Sequence, residues 1–127
     1  MKIKGITDQE IKNVKASFEY ELPEAYIEFL RTYGKECVLG HDVQILYPFM
    51  LGLRADLLEL IEEDNLDFQL PKNAFVFSEY QGFQYHYFLC GESDDPEVYR
   101  IMDGNDPPYK VADSFSNYIK QALNENI

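Results

Sequence analysis

The sequence predicts an α+β fold: a single domain, residues 1–127, with a central mostly antiparallel sheet, two N-terminal helices, one middle helix and a C-terminal helix. Three observations predict it. Apolar residues recur at helical spacing near both ends of the chain and once in its middle. Between these stretches, short β-rich runs follow one another across turn residues, as hairpins do and as doubly wound parallel sheets do not. The chain has 127 residues, 46% of them hydrophobic. A chain of that size buries roughly two-thirds of its unfolded surface, enough for one core.

The elements follow in order. Thr7-Asp8-Gln9-Glu10 is a capping box, in which hydroxyl and carboxylate each satisfy an otherwise unpaired backbone amide. Ile11, Val14 and Phe18 then recur at helical spacing, predicting a first helix over 8–20. Leu22-Pro23 opens a second helix, 23–33, because proline suits a first helical position. Its stripe is Tyr26, Phe29, Leu30 and Tyr33, and Gly34 can supply a left-handed cap. Residues 37–40 and 43–47 read as short strands around a Gly40-His41-Asp42 turn. Beyond Pro48, Leu53, Leu57, Leu58 and Ile61 mark one side of a helix over 54–64. Asp56, Glu59, Glu62 and Glu63 mostly occupy its other side.

Residues 74–78 and 83–90 predict a hairpin about Tyr80-Gln81-Gly82. Along its second strand, Phe83, Tyr85, Tyr87 and Leu89 alternate onto one face. Residues 97–102 form the next strand, 103–108 a turn by composition, and 109–111 a short last strand. Asp113 or Ser114 caps a closing helix that turns Phe115, Tyr118, Ile119, Ala122 and Leu123 inward.

The net charge is −12, from 23 acidic and 11 basic side chains. That balance argues against nucleic acid or an anionic membrane as partner, since both require a basic surface. It favours a cationic protein partner, or simple solubility. The charge is unevenly spread: residues 1–35 are neutral, and 36–127 carry 17 acids against 5 basic groups. Asp56, Glu59, Glu62, Glu63, Asp64 and Asp67 form one cluster. Glu92, Asp94, Asp95, Glu97, Asp103 and Asp106 form the other. The plainest reading is a solvated helix face and two polar turns; the functional one is a docking surface.

Other chemistry has little support. Cys37 and Cys90 stand 53 positions apart, outside any CxxC pattern, and read as buried thiols of a reduced, cytoplasmic chain. The start has no apolar signal-peptide core, and the apolar runs are far shorter than the ~20 residues of a membrane span. His86, between aromatics in a strand, reads as a packed histidine. No metal-ligand spacing, nucleophile elbow or phosphate-binding glycine loop occurs. No catalytic residue, metal ligand or cofactor is therefore assigned. Tyrosine is enriched at interfaces, and among 10 Tyr and 9 Phe, Tyr80 and Phe83 flank a turn. With the acids of 92–106 they would make an acidic surface with aromatic anchors.

Three segments resemble the SUKH superfamily, which also contains the fungal cell-wall-assembly regulators. Leu22-Pro23-Glu24-Ala25-Tyr26-Ile27-Glu28-Phe29-Leu30-Arg31-Thr32-Tyr33-Gly34 is similar to the family's "LPxxYxxFLxxxNG" helix, with Tyr33 where Asn is frequent. Residues 75–78 and 82–88 resemble its central hairpin, though without the acid of the family's "dGxGD" turn. Residues 96–100 and 111–119 resemble its "pVy…vasSFxeFl" ending. The resemblance implies an α+β binding module without a shared catalytic set. It implies further that the chain is an immunity protein, neutralising a cognate toxin, such as a nuclease, by binding it. The expected contact residues are Glu62, Glu63, Asp64, Tyr80, Phe83, Asp94, Asp95, Glu97, Asp103 and Asp106. The alternative is an intracellular regulatory or scaffold module of the same family; a carboxylate-based hydrolase lacks a supported site. Sequence sets neither oligomeric state nor the face that binds.

Overall fold

Neighbouring strands joined by short turns pair as hairpins, and the sheet obeys: β1 (Val43–Gln44), β2 (Ala74–Tyr80), β3 (Gln84–Leu89), β4 (Val98–Met102) and β5 (Tyr109–Ala112) lie in chain order, all antiparallel. The helices are α1 (Asp8–Ala16), α2 (Glu24–Tyr33), α3 (Leu53–Glu63) and α4 (Phe115–Glu125). The structure is a computed structural model and describes residues 3–41, 43–104 and 107–125. The α+β class stands as predicted.

Several boundaries differ from the sequence expectation. The capping box forms, with Thr7 Oγ1 accepting from the Glu10 amide at 3.1 Å and Glu10 Oε1 from the Thr7 amide at 2.9 Å. The helix stops at Ala16 rather than 20, because Ser17 turns its hydroxyl onto the Val14 carbonyl at 2.6 Å. Phe18 then leaves the helix to lie edge-on to Phe75. Pro23 is the N-cap of α2, one residue before its first turn. Gly34 is right-handed, with φ −65°, so the left-handed cap is not used. Its smallness matters instead: a Cβ there would lie 2.7 Å from the Leu30 carbonyl oxygen.

The predicted strand over 37–40 is a 3-10 turn, Val38–His41, and the one over 43–47 shrinks to β1. The Tyr47 amide donates to the Gly34 carbonyl at 2.8 Å, which takes it away from any ladder. Asp42 of the proposed turn lies outside the described residues. Leu53 and Leu57 are buried beneath α3, but Leu58 is 45% exposed, not inward as its spacing suggested.

The sheet is covered on both faces, which the period-2 reading of β3 did not anticipate. Tyr85 and Tyr87 face the α3 side, where Phe68 lies 6.3 Å from Tyr87. His86 and Phe88 face α2 and α4, and they too are buried. A bulge in β2 between Val76 and Ser78 turns Phe77 and Ser78 to the same side. On that side the Tyr26 ring is fully buried among Phe75, Phe88 and Phe115, with centroids 5.2, 5.3 and 5.5 Å away. This cluster locks α2 and α4 onto the sheet.

Candidate functional site

The β3–β4 loop and the two turns at the other end of the sheet divide the second acidic cluster. β4 separates 92–97 from 103 by its own length, roughly 15 Å at ~3.3 Å per residue. The expected single surface of Tyr80, Phe83 and residues 92–106 is thus split. Asp94, Asp95 and Glu97 lie at one end. Tyr80, Phe83 and Asp103 lie at the other, where the Asp103 amide donates to the Phe83 carbonyl at 2.9 Å. Asp106 lies outside the described residues. Tyr80 and Phe83 are half-buried and pack edge-to-face at 5.8 Å.

The loop acids hold the fold together. The Asp94 carbonyl accepts from the Ala25 amide at 2.9 Å, in the first turn of α2. Asp95 Oδ1 accepts from the Ser116 amide at 2.9 Å, and its other oxygen accepts from the Ser116 hydroxyl. Ser114 caps the Asn117 amide at 3.1 Å. A carboxylate at a helix N-terminus also meets the positive end of the helix dipole. Asp95→Ala should therefore cost about 1 kcal/mol, and Asp95→Asn less, in urea unfolding; equal stability of all three would remove this anchoring role. Glu97 accepts from Tyr99 at 2.8 Å and pairs with Lys110 at 3.1 Å. Those two donors hold its carboxyl below the ordinary range.

The acids of α3 are arranged differently. Arg54, in its first turn, bonds the carbonyls of Pro71 and Ala74 at the start of β2. Burial raises the Tyr85 phenol to about 12, with smaller effects from the charges of Glu79, Asp56 and Glu59. Tyr85 pairs with Glu79 near the far end of β2. The helix thus runs from the start of β2 toward the hairpin turn, carrying Glu62, Glu63 and Asp64 that way. All three are exposed. A hydrogen bond and like charge from Glu59 raise the Glu63 carboxyl, and Asp64 and Glu62 add to it. This is crowded negative charge, with Leu58 exposed one turn from Glu62.

On the other face of the sheet, Ser78, His86, Arg100 and Tyr109 stand opposite one another across β2 to β5. Ser78 Oγ lies 2.9 Å from His86 Nδ1, and Tyr118 Oη from α4 lies 3.3 Å from the same atom. The His86 ring stacks on Phe77, so the packed-histidine expectation holds. Burial, and then the Arg100 charge, push its pKa down to about 4, leaving it neutral at pH 7. The Arg100 guanidinium lies 4.4 Å from the centre of the Tyr109 ring. Beside these groups opens a cleft of about 350 Å³, reached also by Gln84 and Gln121. Sequence reading missed Arg100, because a strand arginine carries no motif; its only signal was the cross-strand register.

Cys37 and Cys90 are both buried and unbridged, and burial raises the Cys90 thiol to about 11, far from a reactive thiolate. Among the described residues, no group of three His, Cys, Asp or Glu is arranged to hold a metal ion. No helix among them is long and apolar enough to cross a membrane. A family model described as SMI1 / KNR4 family (SUKH-1) matches residues 5–121. Neither the curated proteins nor the solved structures gave a match.

Proposed function

Because the chain belongs to the SMI1 / KNR4 family (SUKH-1), we propose that it is a cytoplasmic immunity protein that neutralises a cognate toxin by stoichiometric binding. The acidic outer face of α3 is the docking surface in this reading. The observation that carries it is the crowding of Glu59, Glu62, Glu63 and Asp64, in which a hydrogen bond from Glu59, and then like-charge repulsion from Glu59, Asp64 and Glu62, raise the Glu63 carboxyl. A basic partner relieves that repulsion, and the nucleic-acid-binding cleft of a nuclease toxin has the required charge. Complementary charge speeds encounter and makes it salt-sensitive. Exposed Leu58 supplies an apolar anchor among the acids, with Tyr80, Phe83 and Asp103 at the nearby end of the sheet. Asp94, Asp95 and Glu97 contribute less in this scheme, since their loop braces two helices and pairs with Lys110.

The test uses a toxin domain encoded beside this gene, purified and bound to the chain at low and high salt. Wild type is expected to bind with an on-rate that falls steeply with salt. Glu62→Lys with Glu63→Lys should slow association by roughly tenfold or more at low salt. Leu58→Asp should speed dissociation. Absence of any complex would defeat the immunity reading. A complex with unchanged rates in the variants would move the docking surface off α3.

A further inference from the structure

We propose that the cleft on the α4 side of the sheet is a binding site for a carboxylate carried on a small apolar group, with Arg100 gripping the carboxylate. This goes beyond the toxin-docking reading and uses the opposite face of the sheet.

The guanidinium is the first reason. Arg100 Nε is buried without a hydrogen-bond acceptor, and Arg100 makes no ion pair among the described residues. A buried guanidinium N–H normally has an acceptor. The Tyr109 ring lies over the guanidinium and holds it beside the cleft that Arg100 lines. A planar fork of this kind matches the two oxygens of a carboxylate.

The lining is the second reason. None of the described lining residues is Asp or Glu, so none of them competes for the arginine. The side-chain amides of Gln84 and Gln121 have no hydrogen bond among the described residues and stand ready as further donors. The neighbour of Arg100 across the sheet is His86, which is neutral at pH 7. Arg100 is thus the one formal charge among the described lining residues, which suits a singly charged anion better than a phosphate. The remaining wall, including Leu39, Ile45 and Val111, is apolar and calls for an apolar carrier. The volume of about 350 Å³ lies at the small end of ligand sites, which run from ~300 to 1,000 Å³.

Two sources carry this chemistry: a free short-chain acid and the C-terminal carboxylate of a peptide. An amide NMR titration of the full chain with hexanoate, N-acetyl-leucine, N-acetyl-leucinamide and inorganic phosphate separates them. Saturable shifts are expected at Gln84, Arg100 and Val111, with N-acetyl-leucine binding roughly tenfold or more tighter than its amide. Tighter binding of hexanoate assigns a free acid, and tighter binding of N-acetyl-leucine assigns a peptide end. Arg100→Gln should abolish the preference for acid over amide, while Arg100→Lys keeps part of it. Equal binding of acid and amide, no saturable binding of either acid, or phosphate binding as tightly as the acids would overturn the assignment. Should Arg100→Gln fail to fold, the acid–amide comparison on the unaltered chain still decides.

Discussion

Tyr26→Ala should destabilise the chain by about 3–5 kcal/mol, the range for emptying a large aromatic site, while Tyr26→Phe should leave stability equal or higher. The ring is fully buried and touches strands β2 and β3 through Phe75 and Phe88, and α4 through Phe115. Its removal leaves a cavity where α2, α4 and the sheet meet, a junction too well packed to collapse freely. The hydroxyl makes no contribution to this. It is buried without a hydrogen-bond partner, and burial raises its pKa well above the ordinary phenol value. A buried, unpaired hydroxyl costs about 1–3 kcal/mol of desolvation, and Phe removes it while keeping the ring. Urea unfolding at constant m-value measures both variants. A loss of more than about 1 kcal/mol in Tyr26→Phe would mean that the hydroxyl has a partner, such as an internal water.

The same ring shows what was legible in the sequence. The stripe Tyr26, Phe29, Leu30 and Tyr33 needs only helical periodicity to be placed inward; the first three are buried and Tyr33 is half-buried. The capping box likewise depends on neighbours three residues apart. What local pattern missed depends on tertiary partners. β1 stops at Gln44, and three residues on the Tyr47 amide goes to Gly34, at the end of α2. β3 has buried residues on both faces, because α3 covers one and α2 with α4 cover the other. Alternation identified the strand, and its aromatic neighbours marked His86 as packed, but neither showed that Phe88 would be as buried as Tyr85 and Tyr87.

The acids divide along the same line. Sequence composition located the charge but not its employment. Asp95 and Glu97 sit in a run that looks like a solvated turn, yet their partners, Ser116 and Lys110, come from 21 and 13 residues away. Only the register of β4 and β5 and the placement of α4 reveal them. The α3 acids have no such partners to discover: Glu63 is surrounded by its own helix's carboxylates. The distinction matters for experiment, since reversing Asp95 would report a lost helix cap as well as a lost contact. Reversal of Glu62 and Glu63 reports charge with little structural cost, as exposed substitutions shift stability by only about 0.5 kcal/mol.

Acid should destabilise the chain through His86, and this is the second large effect. The ring is 8% exposed, and its folded pKa of about 4 lies below the ordinary 6.5. The groups around it are hydroxyls from Ser78 and Tyr118, the Phe77 ring and the Arg100 cation. None of them neutralises an imidazolium, and Arg100 opposes it. Between pH 6.5 and 4 the unfolded chain binds a proton that the folded chain refuses, so stability rises with pH across that window. The contribution is fully present above pH 6.5 and lost as pH falls toward 4. The depression corresponds to about 3 kcal/mol at ~1.4 kcal/mol per pKa unit. Wild type should lose about 2 kcal/mol between pH 7 and pH 5. His86→Phe, which preserves the stack on Phe77, should be less stable at neutral pH because Ser78 loses its partner. Its stability should nonetheless fall less than that of wild type between pH 7 and pH 5. Parallel pH profiles for the two proteins in urea unfolding would show that His86 is not the buried, neutral group on which the acid sensitivity depends.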